Sequence, residues 1–564
     1  VTSTQEGNGQ PMTAAVFFEG LPIQEDRPLG INVATAEFHR AFARYARQSD
    51  LPAICDGTSH FSKYRELVSA ASADPSRCVQ VNRLDGDALA KVGTAVRYDP
   101  AITEQLWLRR AQGQTRYSIV GFTHASSTAA VMDALGSYAI APAQSWDALI
   151  CASNAIKSAV QTLLDGWCDY LSALTGGSAS CPMQFPVIPL GVDAERFSSA
   201  VRPEERQRQR NALGLDHDAI AVLYSGRLNH IAKANPLPLF LAAEEAAQAI
   251  SVPLHVIFHG YFPDDAIEPA FKEAAAKLCK VARVSFIAHD DRNFPDGVWA
   301  AADIFCSPVD NIQESFGLTP VEAMAAGLPV IVSDWDGYRD TVRDGVDGFA
   351  VSTILPAAGT GTDIAFAYFD NPGMYGDFLS ATSQSTAIDT HALAVALRRL
   401  AEHPELREKM GAAGQARVAA TFDWRHVIAA YDDLWHELAD RRASGTERVP
   451  MADGGDFHPL RPDPFRMFAD FATASFEDGG AVELAATEWA DTIKRMGLKI
   501  GTVHAGALID LEDLPLVFAH LEASPGMTLA ELCGRLDAFD GARLRRTIAW
   551  LVKLGICRYR APNA

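Results

Sequence analysis

The sequence predicts two consecutive α/β domains, each a parallel sheet layered with helices and opening toward the other across a cleft, followed by a small helical module. Three observations predict it. Short β-branched runs alternate with longer helix-like stretches, as in Ala14 to Phe18 before Ala34 to Ala46 and Tyr117 to Phe122 before Ser126 to Leu135. The alternation begins afresh at Ile220 to Ser225 and continues through Leu254 to His259, Val284 to Ile287, Asp303 to Cys306 and Pro329 to Val332. At 564 residues the chain exceeds what one core supports, and about 100 to 200 residues per domain gives three or four units.

Taken in order, residues 1–195 form the first domain, with the junction near Pro186 to Phe197. The polar stretch Arg202 to Arg210 reads as an exposed connecting helix or loop, and residues 196–445 form the second domain. From Ser352 to Asp389 small and polar residues dominate, which predicts an inserted loop region. Helical periodicity resumes over His391 to Ala413 and Trp424 to Leu438, and a linker rich in Gly and Pro ends near Pro464. Within the last part, residues 446–564, Thr528 to Leu536 and Ala542 to Leu554 read as helices, and Gly555 precedes an extended Ile556 to Arg560. Helix, turn, helix, strand predicts a winged-helix-like unit.

Charge excludes one class of partner. The formal net charge is -21, and His504 to Ala564 holds seven basic and seven acidic residues, so no basic face is available for a nucleic-acid backbone. An anionic ligand must meet a local basic pocket instead. The nine cysteines are odd in number, scattered and without a Cys-x-x-Cys pair, which predicts reduced thiols. Val1 to Pro11 lacks the basic patch and apolar run of a signal peptide, and no stretch approaches 18 apolar residues. The expectation is a soluble cytoplasmic protein, with peripheral membrane contact left open.

The residues that carry chemistry cluster in the second domain. The segment Glu314 to Pro329 reads ESFGLTPVEAMAAGLP and is followed by the strand Val330 to Val332. Ser315, Phe316, Gly317 and Leu318 can form the turn at a helix start, where unpaired backbone N–H groups and the positive dipole end favour a phosphate. Glu314 lies before that helix and Glu322 within it, eight positions on. Two acids near a helix start also arise simply to complement the dipole, and the pair alone does not decide between the readings. Directly after the strand Ile220 to Ser225 stand Gly226, Arg227 and Leu228, with Lys233 six residues beyond the arginine. Two cations there can neutralise a diphosphate, although an arginine and a lysine on a loop are more often only solvated. His124 ends the apolar strand Tyr117 to Phe122, where side chains project toward the cleft; a structural histidine is the alternative.

The long pattern resembles glycosyltransferase family 4, retaining enzymes of the GT-B fold, whose glutamate-x7-glutamate motif Glu314 to Glu322 matches. The likeness extends upstream through Ala302 to Phe305 and Ser307-Pro308, and downstream from Ser333 to Tyr338 and Asp344 to Phe349. It covers about residues 14 to 440, with Thr421 to Trp424 resembling the family's entry to its final helix. The resemblance implies two Rossmann-like domains facing a cleft. It implies that Glu314 contacts the donor sugar, Glu322 the ribose, and the backbone of Phe316 to Leu318 the diphosphate. Arg227 and Lys233 then match the family's cationic pair, and His124 its histidine beside the donor sugar. Gly30 and Ile31 fall where the family has a glycine-rich loop, but the local Pro28-Leu29-Gly30-Ile31-Asn32 lacks the usual pair of glycines. Leu190 to Asp193 departs from the commoner Asn-Gly-Val-Asp and falls at the interdomain hinge.

The activity implied is transfer of a sugar from a nucleotide diphosphate sugar to a hydroxyl acceptor with retained anomeric configuration. The pattern requires no metal and no cofactor beyond the donor substrate, for which a UDP-sugar is the family-level expectation. A glycan or a lipid-linked molecule is the expected acceptor, in polysaccharide, lipopolysaccharide or glycoconjugate synthesis. A protein partner of the terminal module stays open. So do two other classes: a sugar-nucleotide epimerase or phosphorylase-like GT-B enzyme, and a non-catalytic regulator that binds sugar nucleotides.

Overall fold

The computed structural model describes residues 13–20, 30–294, 297–452, 454–485, 489–498, 500 and 504–562. It divides into two compact units, residues 1–457 and 458–564.

The larger unit holds two parallel sheets. The first comprises β1 (Ala15–Phe17), β2 (Leu51–Ile54), β3 (Cys78–Val81), β4 (Thr94–Val96), β5 (Ser118–Thr123) and β6 (Ala148–Cys151), in the spatial order β3-β2-β1-β4-β5-β6. The second comprises β7 (Ile220–Ser225), β8 (Leu254–Gly260), β9 (Arg283–Ala288), β10 (Ile304–Ser307), β11 (Val330–Ser333) and β12 (Gly348–Val351). Its order, β9-β8-β7-β10-β11-β12, repeats that of the first. In each sheet the winding reverses beside the first strand, between β1 and β4 and between β7 and β10. At such a point the two neighbouring loops leave in opposite directions and open a crevice beyond the strand ends. Most of these strands are covered on both faces, which is why they read as continuous apolar runs: Val222, Val256, Ile257, Ile304, Phe305, Val330 and Ile331 are all inaccessible to solvent.

Two crossings join the lobes. Val192 N–H donates to the Phe422 carbonyl at 2.8 Å and Trp424 N–H to the Val192 carbonyl at 3.3 Å, pairing the outgoing and returning chain. Gly191 is required between them, because a Cβ there would lie 2.3 Å from the Trp424 ring. The helix Trp424–Ser444, grouped by sequence with the second domain, packs on the first lobe. Its Tyr431 ring lies 5.4 Å from Phe38 and Trp435 lies 6.0 Å from Phe42, while Arg442 donates to the Gly93 carbonyl at 2.9 Å. Helical spacing of aromatic residues marks an apolar face, but not which lobe receives it.

Two expectations need correction. The segment Ser352 to Asp389 is not an open loop: Thr353–Ile354 pairs antiparallel with Ala387–Ile388, and between them stand the helices Thr362–Asp370 and Tyr375–Gln384. Their small and polar residues hid a hairpin held by aromatic packing, with Tyr368 stacked on Phe378 at 4.5 Å. The stretch Arg202 to Arg210 is not wholly exposed either. In the helix Pro203–Ala212, Gln209 and Arg210 are buried, and Asp303 accepts from Arg206 at 2.5 Å, from Arg210 at 3.1 Å and from Ala221 N–H at 2.8 Å. Charge-rich composition reads as surface when the neutralising carboxylate is remote in sequence.

In the smaller unit, helices Leu529–Arg535 and Gly541–Lys553 precede the strand Cys557–Arg560, in the order expected. Thr528 and Glu531 form a capping box at the first of these helices. The sequence did not reveal the strand Ala481–Leu484, which pairs with both Met527–Thr528 and Cys557–Arg560. Val482, Leu529, Leu544, Ile548 and Leu551 form a core of its own. No described helix is long and apolar enough to cross a membrane. All nine cysteines are free.

Candidate functional site

The crevice between β7 and β10 receives the two loops that the sequence singles out. The loop after β7 carries Gly226, Arg227 and Lys233; the loop after β10 ends in Glu314 and runs into the helix Leu318–Ala325. Gly317 is the N-cap, at φ +93°, where a Cβ would fall 2.1 Å from the Tyr338 ring. The chain therefore turns into the helix with its backbone against an aromatic face, and only glycine fits.

Lys233 Nζ and Glu314 Oε2 form an ion pair with side chains 22% and 9% exposed. Burial alone would raise the Glu314 carboxyl. The Lys233 charge and hydrogen bond, with the Ser315 and Phe316 N–H groups, outweigh it and hold Glu314 below the ordinary carboxylate value. Tyr338 Oη donates to the same carboxylate at 3.5 Å. The Arg227 guanidinium donates to the Ala232 carbonyl and to Gln313 Oε1, both at 2.8 Å.

Glu322 lies on the helix without such compensation. Burial pushes its pKa up to about 7, against weaker opposing effects of Arg196 and Lys233. One acid of the pair is thus fixed as a carboxylate while the other is poised to hold a proton near neutrality, and a protonated carboxyl both donates and accepts.

A cavity of about 560 Å³ brings these groups together with the first lobe. Gly226, Arg227, Lys233, Glu314, Ser315, Phe316, Gly317, Leu318 and Glu322 line one side, and Val33, Ala34, Asp99, His124 and Thr128 line the other. His124 follows β5, with Nε2 3.2 Å from the Tyr98 carbonyl oxygen. Burial lowers its pKa to about 4, so the ring is neutral at pH 7. Gly30 and Ile31 open the helix Gly30–Tyr45, of which Val33 and Ala34 line the cavity. The preceding Pro28 and Leu29 lie outside the described residues.

The cavity also contains residues not singled out in the sequence: Gln313, His259 and His289. His259 pairs in register with Ser225, and its Nδ1 lies 3.2 Å from the serine hydroxyl. Burial pushes its pKa down to about 4. Taking the last residue of each apolar run read in the second domain, here Leu254 to His259, would have found it, because those ends face the crevice. Among the described residues no group of three or more His, Cys, Asp or Glu side chains is placed to hold a metal ion.

Residues 205–356, which include both loops and the helix Leu318–Ala325 after the second, match the family model described as glycosyl transferases group 1. A D-inositol 3-phosphate glycosyltransferase of Mycolicibacterium gilvum is 29% identical over 288 residues, 50% of this chain and 53% of that protein. The lipopolysaccharide core biosynthesis mannosyltransferase LpsB of Rhizobium meliloti is 29% identical over 253 residues, 42% of this chain and 69% of that protein. The chain spans about half the length of the curated relatives it matches. A solved glycosyltransferase of Rickettsia africae superposes with a TM-score of 0.50 at 15% identity, over 75% of this chain and 98% of that one, a likeness of fold. Residues 205–356 are thus similar to the group 1 glycosyl transferases, and they sit in a GT-B fold of two Rossmann-like lobes.

Proposed function

We propose that the chain transfers a glycosyl group from a nucleotide diphosphate sugar to a hydroxyl acceptor with retention at the anomeric carbon. The observation that carries this reading is the Lys233–Glu314 ion pair beside Arg227 at the start of the helix Leu318–Ala325, inside a cavity completed by His124 of the other lobe. The diphosphate occupies the helix start, where backbone N–H groups, Arg227 and Lys233 meet its charge. Glu314, held ionised, accepts from sugar hydroxyls, and Glu322 hydrogen-bonds the ribose. His124, neutral and buried, lies beside the sugar and is not a general base.

As the bond from the anomeric carbon to the diphosphate oxygen breaks, negative charge grows on the leaving group. Donors fixed in advance at that position lower the barrier most, because they need not reorganise during the reaction. The acceptor oxygen bonds the same face of the sugar and its proton passes to the departing phosphate. The donor is taken to be a UDP-sugar, and the acceptor a glycan, a lipid-linked molecule or a polyol of the kind that the names of the relatives mention. Loops of the first lobe shape the acceptor site.

A donor screen that follows nucleotide release and the linkage of the product tests the reading. Lys233→Ala reduces turnover about 100- to 1,000-fold, the range found when one preorganised donor to a developing charge is removed, and Glu314→Gln also reduces it by removing the charge that holds Lys233 and accepts from the sugar. Full activity in both variants overturns the assignment. Tight binding without turnover supports a regulator instead, and conversion of the donor without acceptor supports an epimerase.

A further inference from the structure

The hairpin inserted after the second sheet reaches across the cleft. Its base is held by the short ladder in which Thr353 pairs with Ile388 and Ile354 with Ala387. From there two tyrosines meet the first lobe. Ala129 N–H donates to Tyr368 Oη at 2.8 Å, and Tyr375 Oη lies 2.7 Å from Ser127 Oγ. Ala129 is the first residue of the helix Ala129–Ser137, so Tyr368 satisfies one of the N–H groups that a helix start leaves unpaired within the helix.

Tyr375 also touches the phosphate-facing side of the second lobe. Gln313 Nε2 lies 3.4 Å from Tyr375 Oη, the longest link of the set, and Gln313 Oε1 accepts from Arg227 at 2.8 Å. The directions of the two Gln313 bonds are forced. A guanidinium only donates, so the oxygen of the Gln313 amide must face Arg227 and its nitrogen must face Tyr375. The tyrosine hydroxyl then accepts from Gln313 and makes its second hydrogen bond with Ser127 Oγ, in which either oxygen can donate. Both Gln313 bonds point from Arg227 toward the first lobe, and the Tyr375 hydroxyl links Gln313 to Ser127.

We propose that the hairpin Thr362–Gln384 is an interlobe clasp, and that Tyr375 is a positioning residue which fixes Arg227 through Gln313 when the lobes are closed. The role rests on the reading of Arg227 as a diphosphate ligand. Opening the cleft breaks the Tyr375–Ser127 and Ala129–Tyr368 bonds together, frees the Gln313 amide to rotate and lets the guanidinium swing. Closure and the readiness of Arg227 are then one event.

Tyr375→Phe removes the hydroxyl and keeps the ring. Binding of UDP, GDP and ADP is measured by calorimetry, and the tightest of the three serves as probe for every variant. Loss of one such hydrogen bond weakens binding about 3- to 10-fold. The same substitution made on Arg227→Ala changes the affinity less than about 1.5-fold, since the positioned group is already gone. Hydrogen exchange at the Ala129 amide speeds up in both Tyr368→Phe and Tyr375→Phe, and stays at the wild-type rate in Phe366→Ser, an exposed site on the same hairpin. Unchanged affinity in Tyr375→Phe, or an equal loss in both backgrounds, overturns the positioning role. Unchanged Ala129 exchange overturns the clasp, whichever nucleotide binds. If Arg227→Ala itself leaves binding intact, the reading of the cleft fails and takes the positioning role with it, while the exchange result still decides the clasp.

Discussion

Gly317 turns the chain into the helix Leu318–Ala325 at φ +93°, with the Tyr338 ring where a side chain would begin. Alanine there adds left-handed backbone strain of about 1 to 3 kcal/mol and a steric conflict with the ring. Chemical denaturation of Gly317→Ala should register at least that loss, and a neutral result would show that the turn relaxes. Glu322 makes a different prediction. Its pKa is raised to about 7, so between the ordinary carboxylate range and pH 7 the folded state binds more protons than the unfolded state. The stabilisation is therefore complete below that range and is lost as pH rises through about 7. The difference in unfolding free energy between wild type and Glu322→Gln should shift against wild type from pH 5 to pH 8; parallel curves would refute the burial of that carboxyl. Both glutamates stand out in the sequence by spacing alone. Their opposite titration does not, because it depends on Lys233, 81 positions before Glu314.

At the scale of elements, the helix Pro203–Ala212 is bound to the second sheet through Asp303, which is 10% exposed and accepts from two arginines and a strand N–H. Asp303→Ala strands the guanidinium of Arg210, whose side chain is 9% exposed, and removing one partner of such a pair costs about 3 to 5 kcal/mol. Equilibrium unfolding measures it, and a loss below about 1 kcal/mol would mean that water reaches the arginines. Strands of both lobes were legible because parallel sheets covered on two faces need uninterrupted apolar runs. The helices of the inserted hairpin were not. Phe366 and Phe369 are 71% and 83% exposed, so the segment lacks the buried apolar stripe by which helices are recognised. It is ordered instead by the ladder at its base, the burial of Tyr368 and Leu379, two tyrosine hydroxyls and a ring stack.

The whole molecule contains two bodies with separate cores. One core runs from Val16 and Phe38 of the first lobe through Leu190, Val192 and Trp424 to Val222 and Ile331 of the second, so the lobes share one apolar interior. The unit at residues 458–564 has its own. Calorimetry of the full chain should therefore show separate transitions, and residues 1–457 made alone should melt at the same temperature as the corresponding transition of the full chain; a single merged transition would contradict the division. The sequence by itself determined the layers of this protein and the loops that carry its charge. Apolar runs and a phosphate-favouring helix start are written in neighbouring residues, and local rules read them. Only the tertiary structure decided which side chains meet. The return of the helix Trp424–Ser444 to the first lobe, the capture of Arg206 and Arg210 by Asp303, and the link from Arg227 to Ser127 all join positions tens to hundreds of residues apart. Such contacts follow from how two sheets are set against each other, and no periodicity along the chain records that.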